Sequence, residues 1–114
     1  MSFWKDEVID FALDHETRLH IEEQMELVAR EPSNPKHYYA LAQFYRMSGK
    51  QAEAGVLLRE ALRYDAGYAP AHVSLCEMHA IDGDYPAAWK HARGAEAGGD
   101  SSGVELLSRH NVPE

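Results

Sequence analysis

With one cysteine in 114 residues, Cys76, the chain cannot close a loop with an intramolecular disulfide. No apolar run approaches the ~20 residues that span a bilayer, so no transmembrane helix is expected. The start, Met1-Ser2-Phe3-Trp4-Lys5-Asp6-Glu7, has no basic segment followed by an apolar stretch, as a secretory leader would. A reducing cytoplasm is the expected location.

Positive charge is also scarce, since 11 Lys and Arg face 19 Asp and Glu for a net charge of -8. Such a surface repels a phosphate backbone or an anionic bilayer, and no Lys/Arg cluster makes a local exception. Neither nucleic acid nor membrane is an expected partner. Residues 1–33 carry 9 acidic and 3 basic side chains, residues 34–68 carry 3 and 5, and residues 69–114 carry 7 and 3. Only the middle of the chain is basic. A G-x-S-x-G nucleophile turn, a Walker loop and a dinucleotide fingerprint are all missing, and no evident base accompanies Cys76. The reading is therefore a non-enzyme without a cofactor.

What is present fits one folded domain. A hydrophobic fraction of 45% and a charged fraction of 26% are those of an ordinary globular protein. Glycine and proline punctuate the chain at Pro32 to Pro35, Ser48-Gly49, Gly67 to Pro70, Gly83 to Pro86 and Gly98-Gly99, leaving segments about one short helix long. Asn34 before Pro35 supplies an N-cap and opens a helix over 35–47. Leu41, Ala42, Phe44 and Tyr45 recur there at helical spacing, as do Ala54, Leu57, Leu58, Ala61 and Leu62 after the Ser48-Gly49 turn. The pattern then repeats as helix 70–81, the turn Asp82-Gly83-Asp84 and helix 85–97. At an offset of 34 residues Leu41 matches Leu75, Gly49 matches Gly83, Ala54 matches Ala88, Arg59 matches Arg93 and Ala61 matches Ala95. A fixed period marks repeat architecture, and small residues at matching positions let paired helices approach closely.

With these residues in view, the chain resembles the tetratricopeptide repeat, a 34-residue helix-turn-helix. Residues 35–68 match the family pattern at Tyr38, Leu41, Ala42, Tyr45, Gly49, Ala54 and Ala61; they depart with Leu58 for an aromatic and Ala66 for the closing proline. Residues 69–102 match at Leu75, Gly83, Asp84, Tyr85, Ala88 and Ala95, and depart with His72 and His79 at aromatic positions, Cys76 at a small one and Ala92 at the later aromatic. Residues 1–34 keep the phase at Trp4, Phe11 and Pro32 but carry Val8, His15 and His20 where small residues belong, which reads as a degenerate repeat or a pair of capping helices. No Gly or Pro interrupts residues 1–31, so one long helix is the rival reading, but a break is expected near Asp14 to Thr17 because Trp4, Val8, Phe11 and Ala12 project about a quarter-turn away from Ile21, Met25 and Val28. Ser102 with Glu105 reads as a capping box, opening a C-terminal cap helix within 103–114 that carries Val104, Leu106 and Leu107 to cover the last hairpin. The resemblance implies an all-α, right-handed α-solenoid with capping helices at both ends.

The same resemblance places the first helix of each repeat on a concave inner wall. Lys36, Tyr39, Gln43, Arg46 and Met47, then Val73, Glu77 and Ile81, with Pro70 and Ala80, would line it and be free for recognition of a peptide or protein segment. Tyr39 and Arg46 are expected to be exposed. The carboxylate clamp of the chaperone-binding members is not matched, because Tyr39, Gln43 and Ser74 stand where its Lys and Asn residues would be.

Three further readings compete. Self-association through Phe3, Trp4, Ile9 and Leu13 would make the chain a structural homodimer. His72, Cys76 and His79 at i, i+4 and i+7 carry zinc- or copper-binding atoms, yet a structural zinc site takes four ligands and only His91 offers a fourth. Packing positions of the repeat explain the three better, so no metal is assigned. Asp82-Gly83-Asp84 lacks the alternating acceptors and distal Glu of a calcium loop and reads as a turn with an N-cap.

Overall fold

A computed structural model describes the backbone of residues 2–114 and the side chains of residues 15–114. Among the described residues there are six helices and no strand: α1 Ser2–Arg30, α2 Pro35–Met47, α3 Gln51–Tyr64, α4 Ala69–Ile81, α5 Tyr85–Ala97 and α6 Ser102–Arg109. None is long and apolar enough to cross a membrane.

The helix ends follow local chemistry. Asn34 accepts the Lys36 N–H at 3.0 Å through its side-chain oxygen, with Pro35 filling a position that needs no N–H. Asp84 caps α5 in the same way through the Ala87 N–H, with Pro86 in the first turn. Gly49 and Gly83 close α2 and α4 at φ +79° and +78°, a region that costs most side chains a clash. The closing hydrogen bonds also match. Lys50 N–H reaches the Tyr45 carbonyl at 2.9 Å, and Asp84 N–H reaches that of His79 at 2.9 Å. Both are the six-residue closure of a Schellman end, and α5 ends likewise with Asp100 N–H on the Ala95 carbonyl.

Short connections set α2 against α3 and α4 against α5 as helix pairs. Ala42, Ala54, Ala61, Ala71, Ala88, Ala92 and Ala95 are all fully buried, which lets the backbones approach. Two apolar clusters result. The first joins Tyr38 and Ala42 of α2, Leu58 of α3 and Leu75 of α4, with Val28 of α1 packed on its edge. The second joins Cys76 of α4, Trp89 of α5 and Leu107 of α6. Leu75 and Cys76 are adjacent in sequence but enter different clusters, so α4 is the wall between them.

The turn expected near Asp14 to Thr17 is absent, and α1 runs unbroken. Between Ser2 and Arg30 no Gly or Pro interrupts the backbone, and most of the residues are good helix formers. An apolar stripe in constant phase is required only where a helix packs. Over its second half α1 lies on α2, with the His20 ring stacked on Phe44 at 5.2 Å. The start of α6 also differs from the expected capping box. Ser102 is the first helical residue, its N–H bonds to the Asp100 carboxylate at 2.9 Å, and Glu105 pairs with the Ser101 hydroxyl at 3.1 Å. A carboxylate two residues earlier wins because it accepts a stronger hydrogen bond than a hydroxyl.

Candidate functional site

α6 packs against α4 and α5, and Gln43 of α2 reaches Ser74 of α4. Between α4 and α6 lies a cavity of about 330 Å³ lined by apolar Ala80, Ile81, Tyr85, Leu106, Leu107 and Val112, with Glu77 and His110. A second hollow of about 290 Å³ is lined by Val73, Glu77, Leu106 and Arg109. Glu77 and Leu106 belong to both, so the two form a single groove along α4. Ile81 in turn borders a smaller hollow of about 180 Å³ that includes Arg46, Gln51 and Asp82. The groove therefore runs from Arg109 to Arg46 past an apolar middle.

Glu77 lines both larger hollows, with Ile81 in the first and Val73 in the second, and Arg46 shares the smallest with Ile81. Ile81 is 80% exposed, and Met47, 34 positions earlier at the end of α2, is 73% exposed. Among the described residues no ion pair holds Arg46 or Arg109; in particular Arg46 does not pair with Glu77. Both guanidinium groups keep their donors for a ligand.

Other expected members are spoken for. Gln43 donates its side-chain N–H to the Ser74 hydroxyl at 3.0 Å, which ties α2 to α4. Tyr39 is half-buried rather than exposed, its ring edge-on to Tyr68 at 6.0 Å and packed on the first cluster. The reason is the connector at 65–68, which places Tyr68 over the start of α2. Burial and the neighbouring Tyr39 push the Tyr68 phenol above its ordinary pKa. Lys36 is exposed and lines none of the three hollows.

Leu106, Arg109 and Val112 were not singled out as site residues in the sequence. The large buried residue of α6 is Leu107, which is 32 positions after Leu75 and not 34. That two-residue slip puts α6 out of register with the repeat comparison. The α6 helix therefore looked like a plain cover. The available signal was Leu106 beside Leu107, since two adjacent leucines on a short helix cannot both face the core.

His72, Cys76 and His79 do not converge. Cys76 is fully buried in the second cluster, where burial raises the thiol pKa and leaves it a poor nucleophile. His72 and His79 instead face His91 of α5. Among the described residues no group of three or more His, Cys, Asp or Glu is arranged to hold a metal ion. The self-association surface at Phe3, Trp4, Ile9 and Leu13 lies outside the described side chains.

No protein-family model matches the chain, and no curated protein matches it.

Proposed function

We propose that the chain is a tetratricopeptide-type interaction module that binds an extended polypeptide segment along the wall formed by α2, α4 and α6. The observation that carries this reading is the pair Met47 and Ile81, large apolar side chains 73% and 80% exposed at matching ends of α2 and α4. Exposed apolar side chains beside an apolar hollow mark a surface that another molecule covers. The matching turns of α2 and α4, with Gly49 and Gly83 at nearly equal φ, support the 34-residue repeat on which this wall depends.

The segment's apolar side chain enters between Ile81 and Leu106, while Arg46 and Arg109 take carboxylates or backbone carbonyls on either side. Neighbouring Glu77, Glu105 and Asp82 disfavour a uniformly acidic ligand, so the groove selects an apolar anchor with isolated acceptors.

A peptide selected on the wild-type chain from a random display library tests this reading. Ile81→Asp should weaken its binding by at least ~2 kcal/mol, as loss of an interface anchor does. The substituted side chain points to solvent, so thermal stability should stay within about 0.5 kcal/mol. Wild-type affinity in Ile81→Asp would remove the groove from consideration.

A further inference from the structure

Three imidazoles meet where α4 and α5 face each other. His72 Nδ1 is 3.0 Å from His91 Nδ1. The His79 ring stacks on the other side of the contact, 5.6 Å from His91 and within 3° of parallel. His72 Nε2 lies 2.8 Å from the Ala66 carbonyl oxygen in the α3–α4 connector. A carbonyl only accepts, so His72 Nε2 carries a proton, and in neutral His72 the Nδ1 atom is a bare lone pair. His91 Nδ1 must then be the donor between the rings. One backbone carbonyl thus sets the tautomer of both histidines.

That arrangement counts protons. One extra proton is tolerated in either of two places. On His91 Nε2 it leaves the bond between the rings as it was. On His72 Nδ1 it reverses the bond, with His91 carrying its own proton on Nε2. A second extra proton places two N–H groups head to head across 3.0 Å, and no arrangement of two imidazolium rings keeps that bond. The surroundings add to the repulsion: the positive charges of Arg59 on α3 and of the adjacent Lys90, with His72 and His79 of α4, all disfavour a charged His91. The carboxylate nearest the cluster, Asp84, approaches His79 at 3.8 Å. The His72 ring also has no room to retreat toward α5, since a Cβ at Gly94 would lie 2.7 Å from it.

We propose that the His72–His91 pair is a proton-counting latch that ties the α3–α4 connector and α4 to α5 while it holds one extra proton or none, and releases them when it takes a second. The bond from His72 to Ala66 and the bond from His72 to His91 are the two ties, and they share one ring. Head-to-head protons push that ring off His91, and Ala66 loses its donor with it. Burial and the positive neighbours lower the His91 pKa from 6.5 to about 4. The unfolded chain therefore binds a proton that the folded chain refuses between those values. The associated stability is whole above pH 6.5 and is lost as pH falls toward 4.

Nitrogen-detected NMR of the imidazole rings in the wild-type chain tests the latch. At pH 7.5 the expected tautomers are Nε2–H for His72 and Nδ1–H for His91. On acidification the pair should take up one proton with the His72 signals still coupled to those of His91, and the second uptake should coincide with loss of the Ala66 contact. Independent one-proton titrations of the two rings, with the fold intact when both are charged, would overturn the proposal. So would an Nδ1–H tautomer of His72 at pH 7.5. In a parallel measurement, the unfolding constant of the wild type should rise up to about tenfold more per pH unit below pH 6 than that of His91→Phe, one proton's worth of linkage. Equal pH slopes would count against the latch. If His91→Phe does not fold, the wild-type tautomers and titration decide alone.

Discussion

Trp89→Ala should cost about 3–5 kcal/mol, the range for removing a buried large aromatic, and lower the melting temperature by roughly ten degrees or more. The indole is 7% exposed and fills the second cluster between Cys76, Ala92 and Leu107. Its Nε1–H donates to the Val112 carbonyl at 3.2 Å, so the substitution also orphans an acceptor that helps hold residues 110–114 to the fold. Arg93 lies over the ring at 5.2 Å and forks onto the Glu114 carboxylate at 2.6 and 2.8 Å. That pairing keeps the Glu114 carboxyl below its ordinary pKa, yet it is exposed and adds little stability of its own. Trp89→Phe separates the contributions in the main, because it removes the donor and part of the ring but keeps most of the volume. It should cost less than half as much by urea unfolding. Equal losses would place the energy in the hydrogen bond rather than the packing.

Leu75→Ala should cost about 2–5 kcal/mol, the span seen when a buried leucine is truncated. At 1% exposure Leu75 is the largest buried side chain that α4 gives to the first cluster, which also holds the fully buried Leu58 of α3. Ala71 and Met78 of α4 also pack on that cluster, and polar contacts add to the join. Gln43 with Ser74 is one of them, and that bond depends on the same interhelical distance. The loss should therefore appear as reduced cooperativity between the two helix pairs as well as a lower midpoint. Hydrogen exchange should show α2 and α3 protected to a different level from α4 and α5 in the variant. A single uniform loss of protection would mean that the pairs are coupled elsewhere.

Helix positions were legible because glycine and proline act locally. Asn34-Pro35, Gly49 and Gly83 bound α2 and α4 in the sequence and in the fold alike. The continuity of α1 was legible in the lack of Gly and Pro over residues 1–31, and the shift in apolar phase that argues for a break proved the weaker signal. Volume can also be supplied from an unexpected position. Ala92 stands where the repeat pattern asks for an aromatic, and α6 closes against it, with Gly103 placed so that a Cβ would lie 3.3 Å from Ala92. Trp89, three residues earlier, supplies the missing bulk. At the groove, Val73, Glu77 and Ile81 are positions that the repeat resemblance assigns to a recognition wall, and all three line hollows beside α4. Tyr39 and Gln43 meet Tyr68 of the α3–α4 connector and Ser74 of α4, whose approach depends on tertiary geometry.

The most direct measurement is an amide chemical-shift titration of the labelled chain with a display-selected peptide. The expected result is a perturbed set centred on Val73, Glu77, Ile81, Leu106 and Arg109, extending to Arg46 and sparing Val56 and Lys90. Perturbation centred on the exposed Val56 of α3 and Lys90 of α5, or on the exposed Leu19 and Met25 of α1, would contradict the proposed groove.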